Sequence, residues 1–111
     1  MKSSSLWLVA GLLALLLVVM LVTPTAQADD AATVYKAKCQ MCHAPDGSGN
    51  SPTGKAMKVP DLRADETQKK TDAQLIDATA NGKGKMPAFK GKLTDEEIKD
   101  LVKYIRGLAK K

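Results

Sequence analysis

Cys39-Gln40-Met41-Cys42-His43 is the stretch of this chain where reactive side chains crowd together. Two thiols three positions apart lie within one helical turn, and an imidazole follows directly. Each thiol can add across a vinyl group, giving two thioether bonds to one macrocycle. The imidazole is then held beneath the ring, where it can bind iron. The C-x-x-C-H order is the signature of covalent haem attachment. Cys39 and Cys42 are therefore expected to carry one haem c, with His43 as an axial ligand of its iron.

Three other chemistries use the same residue types. A structural zinc ion takes four ligands, and Cys39, Cys42 and His43 are the only Cys and His in the sequence, so a carboxylate would have to complete the set. A thioredoxin-like dithiol belongs beside a βαβ pattern, and no stretch here alternates convincingly at period two. A disulfide between Cys39 and Cys42 would close a very short loop and leave His43 without a role.

The elements that must position this motif follow a leader. Lys2 precedes seventeen residues, Leu6 to Val22, with no charged or polar side chain. Pro24 ends that run, and Ala26-Gln27-Ala28 has the small-x-small pattern of a signal-peptidase site. Residues 1–28 are thus expected to be a signal peptide, cleaved after Ala28, and the domain at 29–111 to work outside the cytoplasm, in a periplasm or equivalent space. A retained anchor is the competing reading, although a span needs roughly 20 apolar residues. The remaining 83 residues hold sixteen basic and twelve acidic side chains, a net +4. Their only aromatics are Tyr35, Phe89 and Tyr104. A domain of this size with so few large apolar side chains needs a staple or a filler, and a macrocycle would serve as both.

The domain reads as all-α. A helix is expected from about Asp30 to Cys42, with Ala31, Val34, Tyr35 and Lys38 on one face. The Gly-, Pro- and Ser-rich stretch from Ala44 to Pro60 reads as an irregular loop with turns at Pro45-Asp46-Gly47 and Pro52-Thr53-Gly54. A short helix is placed near Leu62 to Thr67. Thr71 and Gln74 form a capping box for a helix ending at Asn81-Gly82, with Leu75, Ile76 and Thr79 inward. Loop follows to Lys92. The last helix is the clearest: Thr94 caps it, Glu97 completes the box, and Leu93 with Ile98 forms a hydrophobic staple. Ile98, Leu101, Val102, Ile105 and Leu108 then recur at helical spacing.

The C-x-x-C-H motif near the start of the domain, Met86-Pro87-Ala88-Phe89 beyond it, and a final helix around Leu101-Val102-Lys103-Tyr104-Ile105 together resemble the class I c-type cytochromes. The nearest types are the small bacterial and photosynthetic carriers of the c6, c551 and c553 kind, and the likeness spans nearly all of Asp29 to Lys111. It implies a small cytochrome c fold of three to four helices around one covalently bound haem, with the N- and C-terminal helices crossing near Ala31, Tyr35, Leu101 and Tyr104. It also implies a one-electron carrier, not an enzyme. A backbone carbonyl in the loop after His43, at Pro52 or Pro45, is expected to accept the second ring N–H of the imidazole.

With no second histidine, the sixth iron ligand must come from elsewhere. Met41 lies between the two cysteines, on the wrong side of the ring. Met57 sits in the loop near Lys55 and Lys58. Met86 follows Gly82-Lys83-Gly84-Lys85, precedes the rigid Pro87 and matches the family's axial-ligand position, so it is the expected ligand, with gap-filling the ordinary alternative for any methionine. Lys83, Lys85, Lys90 and Lys92 bracket it, either as a solvated face or as a docking surface for acidic redox partners. Nucleic acid is not an expected partner, because the basic residues are interspersed with acids and lack interleaved aromatics. The chain is expected to act as a monomer. The competing functions are a haem enzyme or gas sensor with an open sixth position, for which Arg63 is the only candidate distal residue, and a small disulfide-bridged interaction domain.

Overall fold

Side-chain caps set where four of the six described helices start. The computed structural model describes residues 30–109, so the leader expected over 1–28 lies outside the described residues. Asp30 opens α1 (Ala31–Lys38), its carboxylate accepting the Thr33 N–H at 2.9 Å. The single helix expected through Cys42 is interrupted. At Cys39 φ opens to −116°, and a separate turn, α2 (Gln40–His43), carries the rest of the motif. Lys38, expected on the inward face of α1, is exposed, while Val34 and Tyr35 are buried.

The loop expected from Ala44 to Pro60 contains a helix, α3 (Pro52–Met57). Ser51 caps it by accepting the Gly54 N–H, and Pro52 occupies the first turn, where its missing N–H costs nothing. α4 (Asp65–Gln68) is a single turn, shifted a few residues beyond its expected position. Both capping boxes form as expected, starting α5 (Asp72–Asn81) at Thr71 and α6 (Asp95–Gly107) at Thr94. Among the described residues the only β pairings are the isolated bridges Lys83 to Met86 and Lys90 to Leu93, so the fold is all-α. No described helix is long and apolar enough to cross a membrane.

The first and last helices are in contact, as are α5 and α6. Tyr35 and Tyr104 meet between α1 and α6 with ring centroids 5.0 Å apart, tilted by 42°. Val34, Leu62, Phe89, Leu93, Ile98 and Leu101 complete the buried cluster. Full burial of each such aliphatic or aromatic side chain is worth about 1.5–3 kcal/mol. The C-terminal helix is also tied to the α4–α5 junction. Arg106 donates to the carbonyls of Gln68 and Lys70 and to Asp72 Oδ1, and Gln68 Nε2 donates to the carbonyls of Leu62 and Ile105.

Candidate functional site

The cysteine–histidine turn is held from behind by the loop that follows it. A helix end leaves its last carbonyls without intrahelical partners. Here Ser51 Oγ donates to the carbonyls of Met41 and Cys42, at 2.8 and 3.0 Å, and the Gly49 N–H donates to His43 O at 2.8 Å. α3 presses on the same turn at Gly54. A Cβ on Gly54 would collide with the Cys42 and Gly49 carbonyl oxygens, so only glycine lets the two backbones approach.

Met86 arrives on a tight turn, not on a loose run of glycines. Lys83 and Met86 exchange backbone hydrogen bonds at 3.2 and 2.9 Å. Gly82, at φ 77°, lies against the Met86 carbonyl where any Cβ would clash. The strand-like segment beyond it is pinned to the end of α5, because the Phe89 and Lys90 N–H groups donate to the Thr79 and Ala80 carbonyls. The otherwise orphaned carbonyls of one helix thus fix the loop that delivers the methionine.

Both approaches open on one slot. Tyr35, Cys39, His43 and Met86 line it, with Leu62, Leu75, Ala78, Thr79, Leu101 and Ile105. The slot has a volume of about 70 Å³ and opens to solvent. Leu75, Thr79, Leu101 and Ile105 had been placed on inward helix faces by periodicity. Leu62 and Ala78 carry no such signal and join the slot through the fold. A wider depression, lined by Lys70, Gln74, Asp77, Gly82 and Lys83, shares Leu75 and Ala78 with the slot but contains no Cys, His or Met.

The chemistry of the lining fits a haem. Cys39 and Cys42 are free thiols. Burial, with the neighbouring Cys42 adding to it, pushes the Cys39 thiol up to about 11. A redox-active thiol needs the opposite shift, toward thiolate, and among the described residues there is no βαβ setting for a thioredoxin-like dithiol. Burial also lowers the pKa of His43, favouring the neutral imidazole that binds metals. Its Nδ1 is buried and makes no hydrogen bond, an unusual state for a polar atom that no protein group compensates. Neither expected acceptor serves it. Pro45 is exposed, and Pro52 starts α3, where its carbonyl enters that helix's own ladder. Among the described residues no cluster of three or more His, Cys, Asp or Glu side chains could hold a metal ion by itself.

The rival site residues lie elsewhere. Met41 is 77% exposed and Met57 43% exposed, and neither lines the slot. Arg63, the only candidate distal residue, is engaged by Asp61 and Asp46 on the surface.

A small all-α domain whose apolar slot is edged by a C-x-x-C-H turn defines a c-type cytochrome. Residues 26–105 match the family model described as cytochrome C oxidase, cbb3-type, subunit III. The chain is 37% identical to cytochrome c6 of Leptolyngbya boryana over 86 residues, covering 78% of this chain and 98% of that one. It is 38% identical to cytochrome c6 of Anabaena variabilis, covering 76% and 94% respectively. The solved structure of the KustC0563 c-type cytochrome superposes with a TM-score of 0.68 at 33% identity, over 74% of this chain and all of that one. The chain belongs to the monohaem class I c-type cytochromes and is related to cytochrome c6. It is a cytochrome c6-like electron carrier with a single covalent c-type haem, and not an enzyme.

Proposed function

We propose that the haem is bound through Cys39 and Cys42, that its iron is ligated by His43 and Met86 from opposite faces, and that the protein shuttles single electrons between redox partners outside the cytoplasm. The observation that carries this reading is the convergence of Cys39, His43 and Met86 on one apolar slot. When bound, the haem supplies the one-electron couple. The chain supplies everything that tunes and protects it. Axial methionine opposite histidine raises the reduction potential. Leu62, Leu75, Leu101 and Ile105 exclude water, and the pinned ends of the Met86 turn keep the thioether in place whatever the oxidation state. A site that moves little loses little to reorganisation.

The leader pattern over 1–28 supports export, and haem attachment suits such a compartment. Lys83, Lys85, Lys90 and Lys92 are exposed, and among the described residues none of them is in an ion pair. Lys83 and Lys85 lie in the turn that carries Met86, and Lys90 and Lys92 follow it in sequence. Their being exposed and free of ion pairs favours the docking reading for acidic partners over a merely solvated face. Long-range attraction of this kind speeds encounter and is screened by salt.

The test is spectroscopic. The purified holoprotein should be six-coordinate and low-spin in both oxidation states, with the weak near-infrared band of methionine-ligated ferric haem. Met86→Ala should abolish that band and lower the potential, while Met57→Ala leaves both in place. An untouched band in Met86→Ala overturns the ligand assignment.

A further inference from the structure

We propose that Tyr35 is a positioning residue for the axial imidazole, its hydroxyl holding the carbonyl of the strained residue Ala44 that directly follows His43. The inference rests on the haem-carrier reading given above and concerns a residue outside the ligand set.

Ala44 sits at φ 63°, ψ 162°. The other non-glycine residue of positive φ, Lys58 at φ 55°, ψ 45°, is in the ordinary left-handed region used to end helices. Ala44 is different. Its conformation belongs to a region occupied almost only by glycine, and such residues persist only where the surroundings over-determine them. Three hydrogen bonds determine it. The Ala44 N–H donates to Gln40 O at 2.9 Å, closing α2, and Ala44 O accepts the Gly47 N–H at 3.2 Å. The shortest of these bonds comes from a different helix: Tyr35 Oη donates to Ala44 O at 2.7 Å, both residues being buried.

Tyr35 lies on α1, one turn before Cys39, and its ring lines the slot. The hydroxyl therefore links the helix leading to the first thioether cysteine with the carbonyl of the residue after the axial histidine. His43 is held between two anchors, Cys39 on one side and the Tyr35 bond on the other. Packing does not require the hydroxyl, since a phenyl ring would fill the slot wall and meet Tyr104 equally well. Its fixed target is the Ala44 carbonyl, one peptide beyond His43, so it restrains the backbone that leaves the histidine. Orientation of a metal-bound imidazole is set by such supporting contacts, and with it the properties of the metal.

The test uses the full-length holoprotein. In ferric low-spin haem the spread of the four ring-methyl proton shifts reports the angle of the axial imidazole plane. Tyr35→Phe is expected to change that pattern and to alter the ferric-to-ferrous ratio at fixed ambient potential at least threefold, about 28 mV for one electron at 59 mV per tenfold. Ile98→Val, which thins the buried cluster outside the slot, is expected to leave both unchanged and so separates positioning from lost stability. A Tyr35→Phe holoprotein with the wild-type methyl pattern and potential overturns the proposal. Should that variant not accumulate, the wild-type protein decides. The Tyr35 hydroxyl proton must exchange slowly with solvent in both oxidation states, and a fast-exchanging one overturns the proposal equally. Neither result bears on whether haem is bound, which the colour of the wild-type protein reports separately.

Discussion

At the residue scale, the site depends on backbones approaching where a Cβ would not fit. Gly54 is the clearest case, lodged against the carbonyl of Cys42. Gly54→Ala must push α3 away from α2 or shift the cysteine turn, and overpacking of this kind costs about 1–3 kcal/mol. Guanidinium unfolding of the holoprotein should show a lower midpoint with little change in slope. An unchanged midpoint would mean that α3 yields without cost. The grouping of Cys39, His43 and Met86 along one slot, which their proposed roles require, was suggested in the sequence by the motif spacing, by Pro87 and by the family pattern. The Tyr35–Ala44 bond was not, since a nine-residue separation has no periodic signal and nothing in the letter Ala announces a positive φ. The requirement for glycine at positions 54 and 82 was hidden likewise, because close approach is a property of two segments and not of one.

At the scale of elements, the helices whose starts carry reciprocal side-chain caps were read to within a residue. Thr71 with Gln74 and Thr94 with Glu97 each satisfy two orphaned backbone donors, and that chemistry is local. Thr94→Ala should cost about 0.5–2 kcal/mol, seen as a lower thermal or denaturant midpoint of the holoprotein. An exposed threonine elsewhere, such as Thr33, should tolerate the same change with a much smaller effect. What the sequence concealed was the break at Cys39 and the helix at Pro52–Met57. The first arises because the attachment turn is fastened to Ser51 and Gly49, contacts ten residues or fewer away in sequence but set by the loop's path. The second was masked by Gly54, which reads as a turn residue until the packing that demands it is seen. The Ser51-Pro52 pair was a helix-start signal in plain view.

For the whole molecule, the slot adjoins a small buried cluster and shares Tyr35, Leu62 and Leu101 with it. Ten residues from across the domain, running from Tyr35 to Ile105, face the slot. A domain of this size with three aromatic side chains buries too little of its own surface to fold strongly alone. Apoprotein made by replacing Cys39 and Cys42 with alanine should accordingly be largely unfolded by circular dichroism and amide exchange. A native-like apoprotein would show that the polypeptide core suffices. Electron transfer to an acidic partner should slow steeply with ionic strength, and replacing Lys83 and Lys85 with glutamate should flatten that dependence. The charges and their bracketing of Met86 were legible in the sequence, and the fold adds that all four are exposed. The central claim is that iron is gripped by imidazole on one face and by the Met86 thioether on the other. Its most direct test is the carbon–proton spectrum of the ferrous holoprotein labelled at methionine methyl groups. The macrocycle's ring current should throw the Met86 methyl far upfield, with the Met41 and Met57 methyls left in the ordinary range. A spectrum in which no methionine methyl is displaced, or in which the displaced one belongs to Met57, would contradict it.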